Sequence, residues 1–161
     1  MRLLLLILVT SFSTVFVYGQ VYDSIPFVRI QVNGLALGAK KEEVIKKFGE
    51  PHKTVTTENN RGADIYIDYV YDKSTLRVNP PGVFYGFKLT DNNFILSCGK
   101  YSIRPGDSLK EFAIYFPKSF SAYAKNINGK FKLKIRQGNF FIVFKTRDGV
   151  ISEIETKEEI D

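Results

Sequence analysis

From Lys40 to Phe48 the chain reads KKEEVIKKF, and Val44, Ile45 and Phe48 fall on one side of a 3.6-residue helix, with Leu37 leading in. Glu42 with Lys46 and Glu43 with Lys47 stand four apart, acid before base, which is the supporting order. Gly49 and Pro51 end the helix, the first by permitting a left-handed cap and the second by refusing to continue. Farther on, Leu109, Phe112, Ala113 and Phe116 repeat the apolar side, Asp107 and Ser108 are capping candidates, and Pro117 is the expected stop. From Gly38 to Gly106 is 68 positions, and without a gap that offset also lays Leu35 on Ile103, Glu43 on Glu111, Phe48 on Phe116, Ile65 on Leu133, Ile67 on Ile135 and Val83 on Ile151.

After each helix the period changes from 3.6 to 2. Alternation predicts strands over 64–71, 75–78 and 83–89, then over 130–136, 139–145 and 150–155. Turn residues separate them: Asn79-Pro80-Pro81-Gly82, Asn128-Gly129, Gln137-Gly138 and Asp148-Gly149. Strands joined by short turns are antiparallel, so the expected fold class is α+β: two tandem α-βββ repeats, about 26–93 and 94–161, forming one curved antiparallel sheet with short helices on one face. The other face is left to solvent or a partner.

The first residues have a different pattern. Arg2, the apolar run Leu3 to Val9, and small and aromatic residues ending at Gly19 have the layout of a secretory signal peptide, expected to be removed before Gln20. The run is far shorter than the roughly 20 residues of a spanning helix. Removing 19 of the 161 residues leaves 142, one domain's worth, at 20–161. Arg2 goes with them, so 22 basic residues face 17 acidic ones and the net charge is +5. No cysteine near the cleavage point offers a lipid attachment site, and periplasmic or secreted localisation is expected. Cys98 is the single cysteine, so no intramolecular disulfide supports the fold; on the same strand side as Phe94 and Leu96, it is expected to be a buried, inert thiol.

The run Leu35-Ala36-Leu37-Gly38, Glu43-Val44, Phe48-Gly49 and Glu50-Pro51, followed by three strands, resembles the tandem-repeat fold of the β-lactamase-inhibitor-like proteins and of the SmpA/OmlA (BamE) outer-membrane lipoproteins. Ile103, Gly106, Glu111 and Phe116 carry it more loosely into the second half. The resemblance implies an exported binding protein, with inhibitor-like members gripping a partner on the sheet face. Lys40 in place of a capping Ser or Thr, Pro117 in place of the second glycine, and the missing lipidation cysteine depart from the pattern. The last weighs against the assembly-lipoprotein role.

Catalytic chemistry finds little support. His52 is the only histidine, with no nucleophile and orienting group nearby in sequence, and reads as an exposed loop residue. With one histidine and one cysteine, a metal site built from those residues is excluded by counting, and no loop has the carboxylate spacing for calcium. Asp64 and Asp68 share a strand side, but four residues of strand set them about 13 Å apart, beyond the roughly 5 to 9.5 Å of a glycosidase pair. No phosphate loop, dinucleotide fingerprint or nucleophile elbow is present, and no cofactor is expected.

Two surface features remain. Lys130, Lys132, Lys134 and Arg136 fall on one side of one strand, either as an edge guarded against aggregation or as a stripe facing an anionic partner. Tyr66, out of phase with Ile65 and Ile67, and Tyr85 (with Phe87 nearby) are candidate interface anchors or a cross-strand ladder. The expectation is a non-enzymatic exported binding module that engages a protein or an anionic envelope component through the open sheet face. It would be peripheral to the membrane at most, and nucleic acid is disfavoured by export and modest charge. The alternatives are a structural accessory of envelope assembly and a hydrolase with dispersed catalytic residues.

Overall fold

The computed structural model describes residues 21–58, 65–125 and 130–158. Its first elements are short: β1 (Ser24–Ile25), a 3-10 turn at Phe27–Arg29, β2 (Ile30–Val32) and β3 (Leu35–Ala36), then helix α1 (Lys41–Phe48). Next come β4 (Lys53–Glu58), β5 (Ile65–Tyr71), β6 (Ser74–Val78) and β7 (Phe84–Leu89). The remainder is β8 (Leu96–Cys98), β9 (Tyr101–Ile103), α2 (Leu109–Ala113), α3 (Pro117–Lys125), β10 (Lys130–Ile135), β11 (Phe140–Arg147) and β12 (Val150–Glu158). The segment expected to be a signal peptide, Asp64 and the Asn128-Gly129 turn lie outside the described residues. No described helix is long and apolar enough to cross a membrane.

The fold class is mixed α+β, and the six strands expected from alternation are present as β5 to β7 and β10 to β12. The expected single antiparallel sheet is corrected to two sheets. The larger has eight strands in the order β1-β10-β11-β12-β7-β6-β5-β4, and the smaller has four in the order β3-β2-β8-β9. The large sheet is not purely antiparallel either, because β1 pairs β10 in parallel. Hairpins of two or three residues escape an alternation count, which is why the small sheet was not foreseen. The strand β4 was missed because KTVTTE carries one apolar residue; it is held as an edge by its ladder with β5, from Lys53↔Val70 to Glu58↔Ile65.

A second correction concerns Pro117, which starts α3 instead of ending the preceding helix. Proline lacks the N–H that a first helical residue leaves unbonded anyway, and its fixed φ suits that position. The helix is anchored by a reciprocal pair: Ser119 N–H donates to the Asp23 carboxylate at 3.0 Å, and Asp23 N–H to Ser119 Oγ at 3.0 Å. In α1 the Glu43 carboxylate accepts the Lys40 N–H at 2.9 Å, so a first-turn acid substitutes for a Ser or Thr cap.

One hydrophobic cluster joins both sheets and the helices. Leu76, Val78, Phe84 and Leu89 from one end of the large sheet and Phe131, Leu133, Ile142, Phe144 and Ile154 from the other are all buried in it. The small sheet adds Ile30, Val32, Leu96 and Ile103, and the helices add Val44, Leu109, Phe112 and Ala113. The small sheet and the helices therefore cover the same face of the large one, and burial of aliphatic and aromatic groups there supplies the main stabilisation.

Each helix start is tied to a strand by the same three backbone bonds. Gly38 N–H donates to Phe84 O at 2.7 Å, Phe84 N–H to Ala39 O at 2.8 Å, and Lys41 N–H to Gly82 O at 2.8 Å. In the other half Gly106 donates to Ile151 O at 2.8 Å, Ile151 to Asp107 O at 2.9 Å, and Leu109 to Gly149 O at 3.1 Å. Gly38 and Gly106 hold φ of 96° and 97°, a region only glycine enters cheaply. The offset is 68 on the helix side, but bridges Lys40↔Val83 and Ser108↔Val150 show 67 on the strand side, so Val83 matches Val150 and not Ile151.

Candidate partner-binding face

The face of the large sheet turned away from the core can be followed through register, because directly opposed residues point to the same side. Lys132 opposes Val143, Val143 opposes Glu155, Glu155 opposes Lys88, Lys88 opposes Thr75, and Thr75 opposes Val70. Two-residue periodicity then places Lys130 and Lys134 beside Lys132, and Asp68 and Tyr66 beside Val70. The lysine stripe and the tyrosines expected from sequence are thus on one face. Five strand steps separate β10 from β5, or about 24 Å at about 4.8 Å per step, so they do not form one small pocket.

At the β5 end the site is a locked cluster. Arg77 Nε and Nη2 donate to the two Asp68 oxygens at 2.6 and 3.1 Å, a bidentate pair in which the Asp68 side chain is only 14% exposed. The Tyr66 and Tyr85 rings lie 5.1 Å apart, and the Arg77 guanidinium sits 5.7 Å from the Tyr66 ring. Burial and then the hydrogen bond to Tyr66 raise the pKa of Tyr85, while Arg77 acts in the opposite direction. The phenol stays neutral and serves as a hydrogen-bonding group. A bulge between Arg77 and Val78 leaves Tyr85 without a register partner of its own and turns it toward Tyr66. Phe87, also weighed as a surface residue, is 3% exposed and belongs to the core.

The centre of the face is a charge belt. Glu153 is bound by Lys145 and, at 3.2 Å, by Lys88, while Glu155 lies 3.3 Å from Lys145 and 3.6 Å from Lys157. Burial pushes up the Glu153 carboxyl, but the hydrogen bonds from Lys145 and Lys88 outweigh it and hold the group below its ordinary range. Glu155 Oε1 is buried with no hydrogen-bond partner among the described residues. Beside the belt, Phe141 and Val143 are buried on this same outward side; Tyr22 meets Phe141 edge-on at 5.4 Å, and Lys132 Nζ lies 5.6 Å from the Phe141 ring. Lys132 therefore extends over apolar surface with its stem, as long cationic chains do.

Arg136 departs from the stripe. It falls beyond the end of β10, its N–H donates to Ile25 O at 2.9 Å, and it lines a separate groove with Ser24 and Tyr101. His52 lies at an exposed turn with Nδ1 3.4 Å from Asp72 Oδ1, both side chains about two-thirds exposed. Cys98 is 3% exposed, and burial drives its thiol pKa far up, away from thiolate chemistry. Among the described residues no group of three or more His, Cys, Asp or Glu is arranged to hold a metal ion.

Sequence reasoning missed the Asp68–Arg77 pair, the charge belt and the packed Phe141. A signal for the first was present: the two-residue turn Asp72–Lys73, with Asp72 at φ 52°, sets the hairpin register that opposes Asp68 to Arg77. Comparison with protein-family models, curated proteins and solved structures gave no match to this chain.

Proposed function

We propose that the chain is an exported, non-enzymatic binding module, built from two copies of one α-βββ unit, that grips a protein or an anionic envelope component through the outward face of its large sheet. The observation that carries the reading is the Tyr66–Tyr85–Arg77–Asp68 cluster: two tyrosines partly open to solvent, held by a bidentate ion pair, on the face that the described helices and the small sheet leave uncovered. Tyrosine and arginine presented on a rigid frame lose little conformational freedom on binding, which is what makes them interface anchors. The lysines of β10 extend the same face with positive charge suited to an acidic partner. The matched helix-to-strand bonds at Gly38 and Gly106 support duplication, as does the strand order, which runs outward from the β12–β7 seam as a meander on each side.

The test is capture from envelope extract with residues 20–161 as bait, read by quantitative mass spectrometry. Tyr66→Ala and the pair Lys132→Glu with Lys134→Glu should each lose the partner that the unaltered chain retains, with far-UV circular dichroism unchanged. Retention of that partner by both variants rejects this face.

A further inference from the structure

A second recognition surface lies away from the outward sheet face. A groove of about 740 Å³ opens between β1 and the β8–β9 hairpin. Its apolar lining includes Ile25, Val28 and Phe116, and three cations, Arg29, Lys100 and Arg136, stand around it. Among the described residues no acid lines it. On the outward sheet face Arg77, Lys88 and Lys145 have carboxylate partners, in the pairs Arg77–Asp68, Lys88–Glu153 and Lys145–Glu155. Around the groove, none of the three is in ion-pair contact with a carboxylate among the described residues. Asp23, the acid next to the groove in sequence, is committed to the Ser119 N–H.

The walls add two features that favour an extended chain. The strand β1 is the outer edge of the large sheet. It serves β10 through Asp23 and Ile25, whose carbonyls accept the Lys134 and Arg136 N–H groups at 2.9 Å. In a parallel ladder alternate residues face the partner, so the Ser24 N–H and C=O point to the free side, and Ser24 lines the groove. The opposite wall is aromatic: Tyr101 stacks on Tyr115 with centroids 4.1 Å apart, meets Phe116 edge-on at 5.7 Å, and carries Lys100 Nζ 5.2 Å from its ring. Val28, in the groove lining, is 65% exposed, large for an apolar group.

We propose that this groove binds an acidic, extended peptide segment of a partner protein. Its carboxylates would meet Arg29, Lys100 and Arg136, its alternate apolar side chains would rest on Val28 and Phe116, and its backbone would pair with Ser24. A sulfated or uronic glycan would match the charge, but its ring hydroxyls need many neutral hydrogen-bonding side chains, and Ser24 and Gln31 are the main ones in this lining. The proposal goes beyond the outward-face reading and stands apart from it, since none of these residues belongs to the Tyr66 cluster.

The experiment is fluorescence anisotropy of residues 20–161 with a fluorescein-labelled heptapeptide of sequence Asp-Leu-Asp-Phe-Asp-Leu-Asp. Comparators are hepta-aspartate, the same peptide with Lys for Asp, and a sulfated hexasaccharide. The alternating acidic peptide should bind about ten-fold more tightly than each comparator. Arg29→Glu with Arg136→Glu, and separately Val28→Asp, should each weaken it by about ten-fold. These side chains are exposed, so the thermal midpoint should be unchanged; Arg29→Gln with Arg136→Gln repeats the test without added negative charge. Tyr66→Ala should leave peptide affinity unaltered, which separates failure of this site from failure of the outward face. Equal affinity in the reversed variants overturns the proposal, as does tighter binding of the hexasaccharide, which would make the groove a glycan site.

Discussion

Gly86→Ala should be among the most damaging single-methyl additions to this fold. Gly86 on β7 opposes Arg77 on β6, and a Cβ at Gly86 would lie 2.7 Å from Thr156 Oγ1 on β12. That hydroxyl accepts the Phe87 N–H at 2.9 Å and donates to the Phe87 carbonyl at 3.3 Å. It matters because β12 and β7 share only two register pairs, Ile154↔Leu89 and Glu155↔Lys88, and Thr156 continues the seam past them. Gly86 does not have a positive φ, so the cost of a side chain there is steric. Loss of both hydrogen bonds costs about 2 kcal/mol at about 1 each, and crowding adds about 1 kcal/mol. At about 3 °C per kcal/mol the thermal midpoint should fall by about 10 °C. Urea unfolding followed by circular dichroism and tyrosine fluorescence measures the loss, and a double-mutant cycle with Thr156→Ala isolates its cause. Thr156→Ala alone should cost about 2 kcal/mol and also removes the oxygen that a Gly86 methyl would crowd, so the pair should cost about 2 instead of the additive 5, a coupling of about 3 kcal/mol. A Gly86→Ala loss within about 0.5 kcal/mol, or strict additivity, would refute the role given to Thr156.

Three further outcomes follow from particular groups. Because the folded Glu153 carboxyl is held below its ordinary range, its stabilisation is present above the unfolded value near 4.3 and lost as pH falls through the folded one; Glu153→Gln should therefore flatten the stability loss below about pH 4 in acid titrations of the urea midpoint. Cys98 should resist a thiol reagent such as dithionitrobenzoate at pH 8 in the native protein and react fully in urea, and rapid native labelling would contradict its burial. Tyr71, whose hydroxyl donates to the Gly49 carbonyl at 3.0 Å and whose pKa is raised to about 12 mainly by burial, should on change to Phe cost about 1 kcal/mol in the same unfolding assay, with one high-pH phenol lost from the absorbance titration.

The long strands and α1 were legible because their side chains alternate or recur with one clear period. The elements that sequence hid owe their form to partners distant in the chain. The strand β2 is defined by pairing with β8, sixty-odd positions away, and β1 by β10, more than a hundred away. Pro117 was misread because the same residue that ends one helix is well suited to start the next. For the candidate face, alternation correctly turned Tyr66 outward and kept the lysines together, and register across the sheet put both on one side. What it could not give was Asp68 clamped by Arg77 or Phe141 buried beneath Lys132, since each depends on which side chains lie opposite. Arg136 left the stripe because β10 ends one residue before it.

The outward face can be tested directly by lysine acetylation footprinting with mass spectrometry, comparing residues 20–161 free and in complex with the protein they capture. Lys88, Lys130, Lys132, Lys134, Lys145 and Lys157 occupy that face, whereas Lys46, Lys47, Lys110 and Lys118 belong to the helices and act as internal controls. The account predicts that the complex protects the sheet lysines and leaves the helix lysines as reactive as before. Protection of the helix lysines with the sheet set still fully reactive would contradict it.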